Sequence, residues 1–416
     1  MAHALLLQLL VILGTARLCG LVLRHFGQPA VIGEMAAGFV LGPVVMGALF
    51  PQAHAQLFAP ETLPGLASLS ELGLVLFMFV VGAELRAPEG VRAQFKSAGA
   101  VGVLGVAVPM VMGLALAWPL YPTLAPAGVG FWPFALFMAA AMSITAFPVM
   151  ARILKDRNMT RTPLGRMALG SAAIADVFAW IMLAIVVTLI GKGGTVGILK
   201  TTLGLVVLVA LVLGALRPLY AWLLRPYAPD GRPGLMPLTA LVLGAVGCAA
   251  LTQWMGLHAV FGAFLFGACL PRDDKLLQTL TERLETPSLV LLMPIFFALA
   301  GLNTSAEAFA STGLAALALI LVVAITGKIV GGTAGARLAG HNWRDSLALG
   351  SLMNARGMME LIVMKVGLDA GLIGPELFTM LLVMALLTTV MTGPLLNLFA
   401  GPAPLPSVDG NGAVRR

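Results

Sequence analysis

Charged residues are scarce in this chain. They make up 10% of its 416 residues, against 59% hydrophobic residues and a mean hydropathy of +0.99. Soluble domains carry about 25% charged residues, so this composition excludes a soluble core. Hydrophobic stretches recur along the whole chain, each with the ~20 residues that cross a hydrocarbon layer of about 30 Å. The sequence therefore predicts an all-α integral membrane protein embedded in a lipid bilayer.

Cysteines and catalytic motifs are also few. Cys19, Cys248 and Cys269 stand in apolar stretches without CxxC spacing, which predicts small core residues. No HExxH, GxSxG or paired DxxxD motif occurs, which argues against an enzyme, and we expect no cofactor. The net charge of +7 is the excess that basic loops give a membrane protein. Nucleic acid is therefore not expected as a partner.

Apolar runs between glycine, proline and charged residues predict about thirteen membrane spans. No basic segment precedes the first run and no A-x-A site follows it, so we expect a span rather than a cleaved signal. The predicted spans lie near 4–23, 30–49, 67–85, 98–120, 131–154, 166–190, 195–216, 235–254, 257–271, 286–302, 310–335, 345–367 and 372–399.

Lysine and arginine are distributed unevenly over the predicted loops. Odd-numbered loops and the C-terminal tail hold nineteen of the 25, and even-numbered loops hold two. The positive-inside rule then predicts a multi-pass protein of the cytoplasmic membrane with its N-terminus outside and its C-terminus inside. The other four basic residues fall inside spans: Arg17, Lys328, Arg356 and Lys365.

Two segments resemble each other across the chain. PAVIGEMAAGFVLGP from Pro29 and HAVFGAFLFGACLPR from His258 share Ala-Val-x-Gly-x4-Gly-x2-Leu in register, and they lie in spans two and nine, which cross in opposite directions. Chance similarity between glycine-rich helices is one explanation. An inverted repeat is the other, and it is common in secondary transporters. It predicts a first repeat at 1–194, a linker helix and loop at 195–234, a second repeat at 235–400 and a short cytoplasmic tail at 401–416.

The repeat makes spans five and twelve equivalent, and polar residues interrupt both. In SITAFPVMAR, Pro148 lacks an amide donor and would clash with the carbonyl of Ile144, beside Ser143 and Thr145. An ordinary kink would explain Pro148 alone.

In GSLMNARGMMEL, Asn354, Arg356, Gly357 and Glu360 crowd into one apolar span. Unwound backbone at membrane depth is tolerated only where it is buried in protein or lines a cavity. Two discontinuous helices with an ion site between them are therefore predicted.

Acidic residues within spans are the candidate ion ligands. They are Glu34, Glu84, Asp176 and Glu360. Packing or interfacial roles are equally open for Glu34 and Glu84. Arg356 and Glu360 are expected to balance charge and helix dipoles around the break.

Asp176 has the most apolar setting of the four. It lies ten residues from Arg166, or about 15 Å deep, and Lys328 lies nine residues from Arg337, or about 13 Å deep. A carboxylate at this depth usually marks an ion or proton path. Hydroxyls and freed carbonyls would complete the oxygen shell of a hard cation. A structural Asp176–Lys328 ion pair is the competing explanation.

Seven segments, in this order, make the chain resemble the monovalent cation:proton antiporter-2 family. This family includes bacterial sodium or potassium/proton antiporters and plant cation/proton exchangers. Each segment alone is a weak signal, but together they cover nearly the whole chain. The segments are QPAVIGEMAAGFVLGP, FVVGAEL, SITAFPVMARIL, ADVFAW, PIFFALAGL, GKIVGG and LMNARGMMELI.

The resemblance implies a homodimer in which a six-helix core with two crossed, broken helices lies beside a panel-like dimerisation domain. It implies elevator-type alternating access, with Asp176 binding the transported Na⁺ or K⁺ and the proton in turn. Lys328 and Thr145 match the lysine and threonine of the family's motifs.

The chain departs from the family pattern in two places. Ala175 stands where relatives usually carry Asp, Asn or Gln, which favours one-for-one, electroneutral exchange. Only about sixteen residues follow the last span, so we expect no regulatory nucleotide-binding domain. A sodium-coupled symporter of organic anions on a similar fold is the alternative, with Lys328 or Arg356 as the anion clamp.

Overall fold

A computed structural model gives the architecture of the chain. It describes residues 2–28, 30–84, 91–160, 162–190, 204, 207–224, 234–255, 259–270 and 274–400. The described residues are helical apart from short connections, and none of them lies in a β-strand. The predicted all-α class is confirmed.

Seventeen α-helices can be numbered along the described part of the chain. Short π-helical or 3-10 segments precede or follow several of them, at Pro43–Gly47, Val212–Leu216, Thr281–Glu285, Ser288–Leu292 and Ala306–Phe309. The helices are α1 (Ala2–His25), α2 (Ala30–Leu41), α3 (Pro51–Leu57), α4 (Leu63–Glu84), α5 (Val91–Leu124), α6 (Phe131–Ser143), α7 (Phe147–Asp156), α8 (Pro163–Ile190), α9 (Arg217–Leu224), α10 (Leu235–Trp254), α11 (Ala259–Ala268), α12 (Asp274–Leu280), α13 (Met293–Leu302), α14 (Ser311–Leu338), α15 (Trp343–Met353), α16 (Met358–Asp369) and α17 (Pro375–Ala400).

Seven helical segments of the described part are long and apolar enough to cross a membrane. They lie in α1, α4, α5, α10, α14, α17 and the continuous segment Leu276–Leu302. Shorter apolar helices cover Val31–Gly47, Phe131–Ser143, Val207–Leu223 and Ala259–Ala268. Each predicted span overlaps at least one described helix, while the count of thirteen stays a prediction. Much of the predicted linker and the whole tail, 401–416, lie outside the described residues.

Glycines let two pairs of helices approach closely. α2 packs against α13, and α4 packs against α11. A Cβ atom on Gly38 of α2 would lie 2.0 Å from the carbonyl oxygen of Phe297 in α13, and one on Gly267 of α11 would lie 2.0 Å from that of Phe79 in α4. In lipid, such close van der Waals packing holds helices together. Gly38 and Gly267 stand at equivalent positions of the two similar sequence segments, so an inverted repeat would produce this matched pair of contacts. The repeat boundaries stay a prediction.

The largest core surrounds the interrupted helices. Its buried side chains come from α2, α4–α8, α11 and α13–α17 and include Phe134, Phe137 and Phe378, none of them exposed. Around it, α5 packs against α6, α8 and α14, and α15 packs against α14 and α17. The long helices thereby hold both interruptions in the interior of the protein.

Candidate functional site

The first interruption separates α6 from α7. Ile144 is extended (φ −65°, ψ 140°), which turns the chain out of the helix after Ser143. Pro148 is the second residue of α7 and lies in its first turn, where backbone N–H groups have no partner within the helix. The predicted break is confirmed. It ends α6 before Pro148, however, so the proline starts the second half-helix instead of kinking a continuous one.

The second interruption separates α15 from α16 and touches the first. Asn354 ends α15, and α16 begins after Gly357. The backbone N–H of Ala146, in the first break, donates to the carbonyl of Ala355, in the second, over 3.1 Å. A Cβ on Gly357 would lie 2.5 Å from Cγ2 of Val149, so glycine permits this approach. The two breaks therefore form one buried unit.

Lys328 of α14 reaches this unit from the side. Its side chain is fully buried, and Nζ donates to Oγ1 of Thr145 over 2.7 Å, to the carbonyl of Gly105 over 3.1 Å and to the carbonyl of Ser143. The Gly105 carbonyl lacks the donor that α5 would normally supply, because residue 109 is a proline inside that helix. Lys328 thus satisfies one carbonyl that Pro109 leaves open and another that the end of α6 leaves open.

Arg356 brings a second positive charge to the C-terminal end of α6. Its Nη1 donates to the carbonyl of Ala141 and its Nη2 to that of Met142, each over 2.9 Å. Nη1 also lies 2.8 Å from Oε1 of Glu360, and both side chains are fully buried. The last carbonyls of a helix carry its negative dipole end. Lys328 and Arg356 therefore cap the last three carbonyls of α6 with two cations, and Glu360 offsets one of them.

Threonines of α17 hold the second break in place. The Arg356 N–H donates to Oγ1 of Thr389 over 3.0 Å, and Nδ2 of Asn354 donates to the carbonyl of Thr388 over 3.2 Å. Oδ1 of Asn354 and Oε2 of Glu360 are buried and accept no hydrogen bond within the described part of the chain. Sequence reasoning missed both threonines, which look like ordinary core residues of an apolar helix.

The predicted site residues divide into two groups. Ser143 and Thr145 in the first break, Lys328 on α14, and Asn354, Arg356 and Glu360 in the second break come together in the interior. Glu34 is buried in α2, which packs on α1 and α13. The side chains of Glu84, Pro148 and Asp176 lie outside what the structure describes.

Asp176 belongs to α8, which packs against helices that carry the site. This helix packs against α5, α6, α7 and α15, and Ala172 and Ala175 on it are fully buried. The predicted approach of Asp176 to Lys328 stays a prediction. Within the described residues, no group of three or more His, Cys, Asp or Glu side chains could hold a metal ion.

Comparison with known proteins identifies the family to which the chain is similar. The family model described as "Sodium/hydrogen exchanger, transmembrane" matches residues 12–400. The Na(+)/H(+) antiporter NhaS4 of Synechocystis sp. is 40% identical over 401 residues, which cover 96% of this chain and 98% of that protein. The K(+)/H(+) antiporter 1 of Saccharomyces cerevisiae is 34% identical over 94% of this chain, which spans 46% of the yeast protein.

A solved structure shares the fold. The sodium proton antiporter MjNhaP1 of Methanocaldococcus jannaschii superposes with a TM-score of 0.62 at 13% identity, covering 92% of this chain and 97% of that one. These matches confirm the resemblance drawn from the motifs. They describe antiporters of the membrane, a class of transporters and not of enzymes. The chain is therefore a multi-pass membrane protein of the sodium/hydrogen exchanger family.

Proposed function

We propose that this chain exchanges a monovalent cation, Na⁺ or K⁺, for protons across a membrane. The relatives named as Na⁺/H⁺ and K⁺/H⁺ antiporters support the exchange. The observation that carries the proposal to this chain is the buried junction of two broken helices, where Lys328 and Arg356 cap the end of α6 beside Thr145. In secondary transporters, substrate and coupling-ion sites lie at junctions of such discontinuous helices.

Asp176 is the proposed carrier of the cation and the proton. It lies four positions after the buried Ala172 on α8, so helical spacing puts position 176 on the same face. Burial in an apolar core disfavours the bare carboxylate. The carboxylate therefore exchanges a proton for a cation, with the hydroxyls of Ser143 and Thr145 as neutral oxygen ligands. Lys328 balances its charge in the empty site.

One carboxylate at the carrier position sets the proposed stoichiometry. The neighbouring position holds Ala175, so each cation displaces one proton and the exchange is electroneutral. The helices α5–α8 and α14–α17 would carry the site past α1–α4 and α10–α13 in an elevator movement. We expect a homodimer in the cytoplasmic membrane, with the N-terminus outside and the C-terminus inside.

Everted vesicles from an antiporter-deficient bacterium test the proposal. A pH-gradient dye is followed while Na⁺, K⁺ or Li⁺ is added to vesicles with the wild-type chain, Asp176→Asn or Glu61→Gln. Glu61 is exposed between α3 and α4 and serves as the matched carboxylate control. We expect cation-dependent dequenching with the wild type and Glu61→Gln, and none with Asp176→Asn.

Two results would contradict parts of this proposal. Dequenching that survives Asp176→Asn would remove Asp176 from the carrier role and direct attention to Glu360. No response of the wild type to any cation at any pH, with the protein present in the membrane, would contradict antiport. Sodium-dependent uptake of an organic anion by the same vesicles would then favour the symporter.

A further inference from the structure

A proline inside α17 leaves a backbone carbonyl without its usual donor. Pro394 lies within this helix and has no N–H to give to Val390, four residues earlier. Gln28, in the connection between α1 and α2, fills the vacancy, because its Nε2 donates to the Val390 carbonyl over 3.2 Å. This bond joins residues 362 positions apart in the chain.

Arg157 binds the same turn of α17 from another direction. It follows α7, and its Nη2 donates to the carbonyl of Gly393 over 3.1 Å while Nη1 contacts Oδ1 of Asn397. A Cβ on Gly393 would lie 3.3 Å from Nη2 of Arg157 and 3.9 Å from Oε1 of Gln28. Gln28 and Arg157 therefore converge on one glycine, at the end of α17 predicted to face the cytoplasm.

The two side chains come from different groups of helices. Gln28 lies among α1–α4 and α10–α13, which pack on one another and are here called the panel group. Arg157 and α17 lie among α5–α8 and α14–α17, which also pack on one another and are here called the core group. Further along the seam between α2 and α17 lies an apolar crevice of about 290 Å³. Its lining includes Met35 and Phe39 of α2 and Leu382, Val383 and Leu386 of α17. The hydrogen bond from Gln28 to the Val390 carbonyl therefore joins the panel group to the core group at one end of this seam. The crevice farther along the seam is apolar.

We infer that Gln28 and the Val390 carbonyl, freed by Pro394, form a latch that closes the cytoplasmic end of the seam between the panel and core groups and opens when the core group moves. The inference rests on the proposed exchange function and its elevator movement. A hydrogen bond of this type contributes modestly, because water replaces the partner when it opens. Losing it shifts a two-state equilibrium by about two- to tenfold, which suits a contact that opens in every cycle.

Two substitutions remove the latch from opposite sides. Gln28→Met keeps a side chain of similar length but has no N–H to donate. Pro394→Ala restores a backbone N–H that can bond Val390 within α17, so it releases the carbonyl from Gln28 while favouring the helix. Gln253→Met is the matched control, since Gln253 donates to Glu71 within the panel group over 3.0 Å.

Spin-label distances measure the opening directly. Labels are placed at Phe26→Cys and Leu398→Cys, whose native side chains are 70% and 69% exposed, after Cys19, Cys248 and Cys269 have been replaced by alanine. Distance distributions are recorded in lipid nanodiscs over a range of pH and of Na⁺ or K⁺ concentration. We expect two distances, with the longer one enriched about two- to tenfold by Gln28→Met and by Pro394→Ala, and unchanged by Gln253→Met.

The double variant Gln28→Met/Pro394→Ala should open no further than either single variant, because all three remove one bond. Wild-type ratios in both single variants would overturn the latch and leave the movement intact. One fixed distance under every condition would overturn the movement and the latch together. The Asp176→Asn dye assay reports exchange separately, so its failure is distinguishable from both.

Discussion

Gly38→Ala is the sharpest test of the helix packing. The added Cβ would lie 2.0 Å from the carbonyl oxygen of Phe297. Ordinary C–H···O contacts are no shorter than about 3.3 Å, so α2 and α13 would have to separate by about 1.3 Å. Both atoms belong to helix backbones, which cannot rotate away as a flexible side chain would. Overpacking of this kind costs about 1–3 kcal/mol.

The reciprocal contact predicts the same cost for Gly267→Ala, which meets the carbonyl of Phe79 at 2.0 Å. Gly14→Ala and Gly247→Ala are the controls, because a Cβ on either glycine meets nothing within 4 Å. Alanine there should be neutral or stabilising by up to about 1 kcal/mol, since it favours a helix over glycine. The two pairs of substitutions are therefore expected to differ in sign.

The assay is the thermal unfolding midpoint in one detergent, followed by tryptophan fluorescence. At about 2 °C per kcal/mol for a large domain, Gly38→Ala and Gly267→Ala should lower the midpoint by about 2–6 °C. The control variants should leave it unchanged or raise it. Equal shifts in all four variants would refute the reasoning, because the cost would then reflect glycine replacement in general and not the close approach of two helices.

Three further predictions concern the buried polar groups. Lys328→Met leaves three buried oxygens without this donor, and each unpaired oxygen costs about 1–3 kcal/mol of folding free energy. The variant should therefore have a lower unfolding midpoint and show no cation-driven dequenching. Lys365→Met, a surface substitution, should lower the free energy of unfolding by less than about 1 kcal/mol. Equal losses of stability in Lys328→Met and Lys365→Met would contradict the reasoning. Arg356→Met alone or Glu360→Leu alone should lower the free energy of unfolding by about 3–5 kcal/mol, and the double variant should lower it by less than the sum of the two. A double-mutant cycle measures this difference, and additive effects would count against the ion pair. The side chain of Asn342 caps α15 by accepting a hydrogen bond from the N–H of Asp345, and Asn342→Ala removes it. The unfolding midpoint should fall by the equivalent of about 0.5–2 kcal/mol. An unchanged midpoint would show that the cap is dispensable.

Some of this site could be predicted from local sequence features. Polar residues in an apolar span cannot be left facing lipid, so Ser143, Thr145, Asn354 and Arg356 had to be buried together with unwound backbone. A proline inside a helix is another local signal, because it frees the carbonyl four residues earlier. Applied to Pro109, that rule would have pointed to the Gly105 carbonyl as an acceptor, and its partner would still have been unknown.

The sequence by itself determined the membrane environment, the positions of the apolar spans and both interruptions, because each depends on hydropathy or backbone chemistry within about 20 residues. Only the tertiary structure decided which groups meet. Arg356 binds carbonyls 214 and 215 positions earlier, Lys328 binds Thr145, and Gln28 binds Val390. These partners are backbone oxygens, which every helix contains, and a common hydroxyl. Their selection depends on how the helices pack in three dimensions, which no local pattern of residues records.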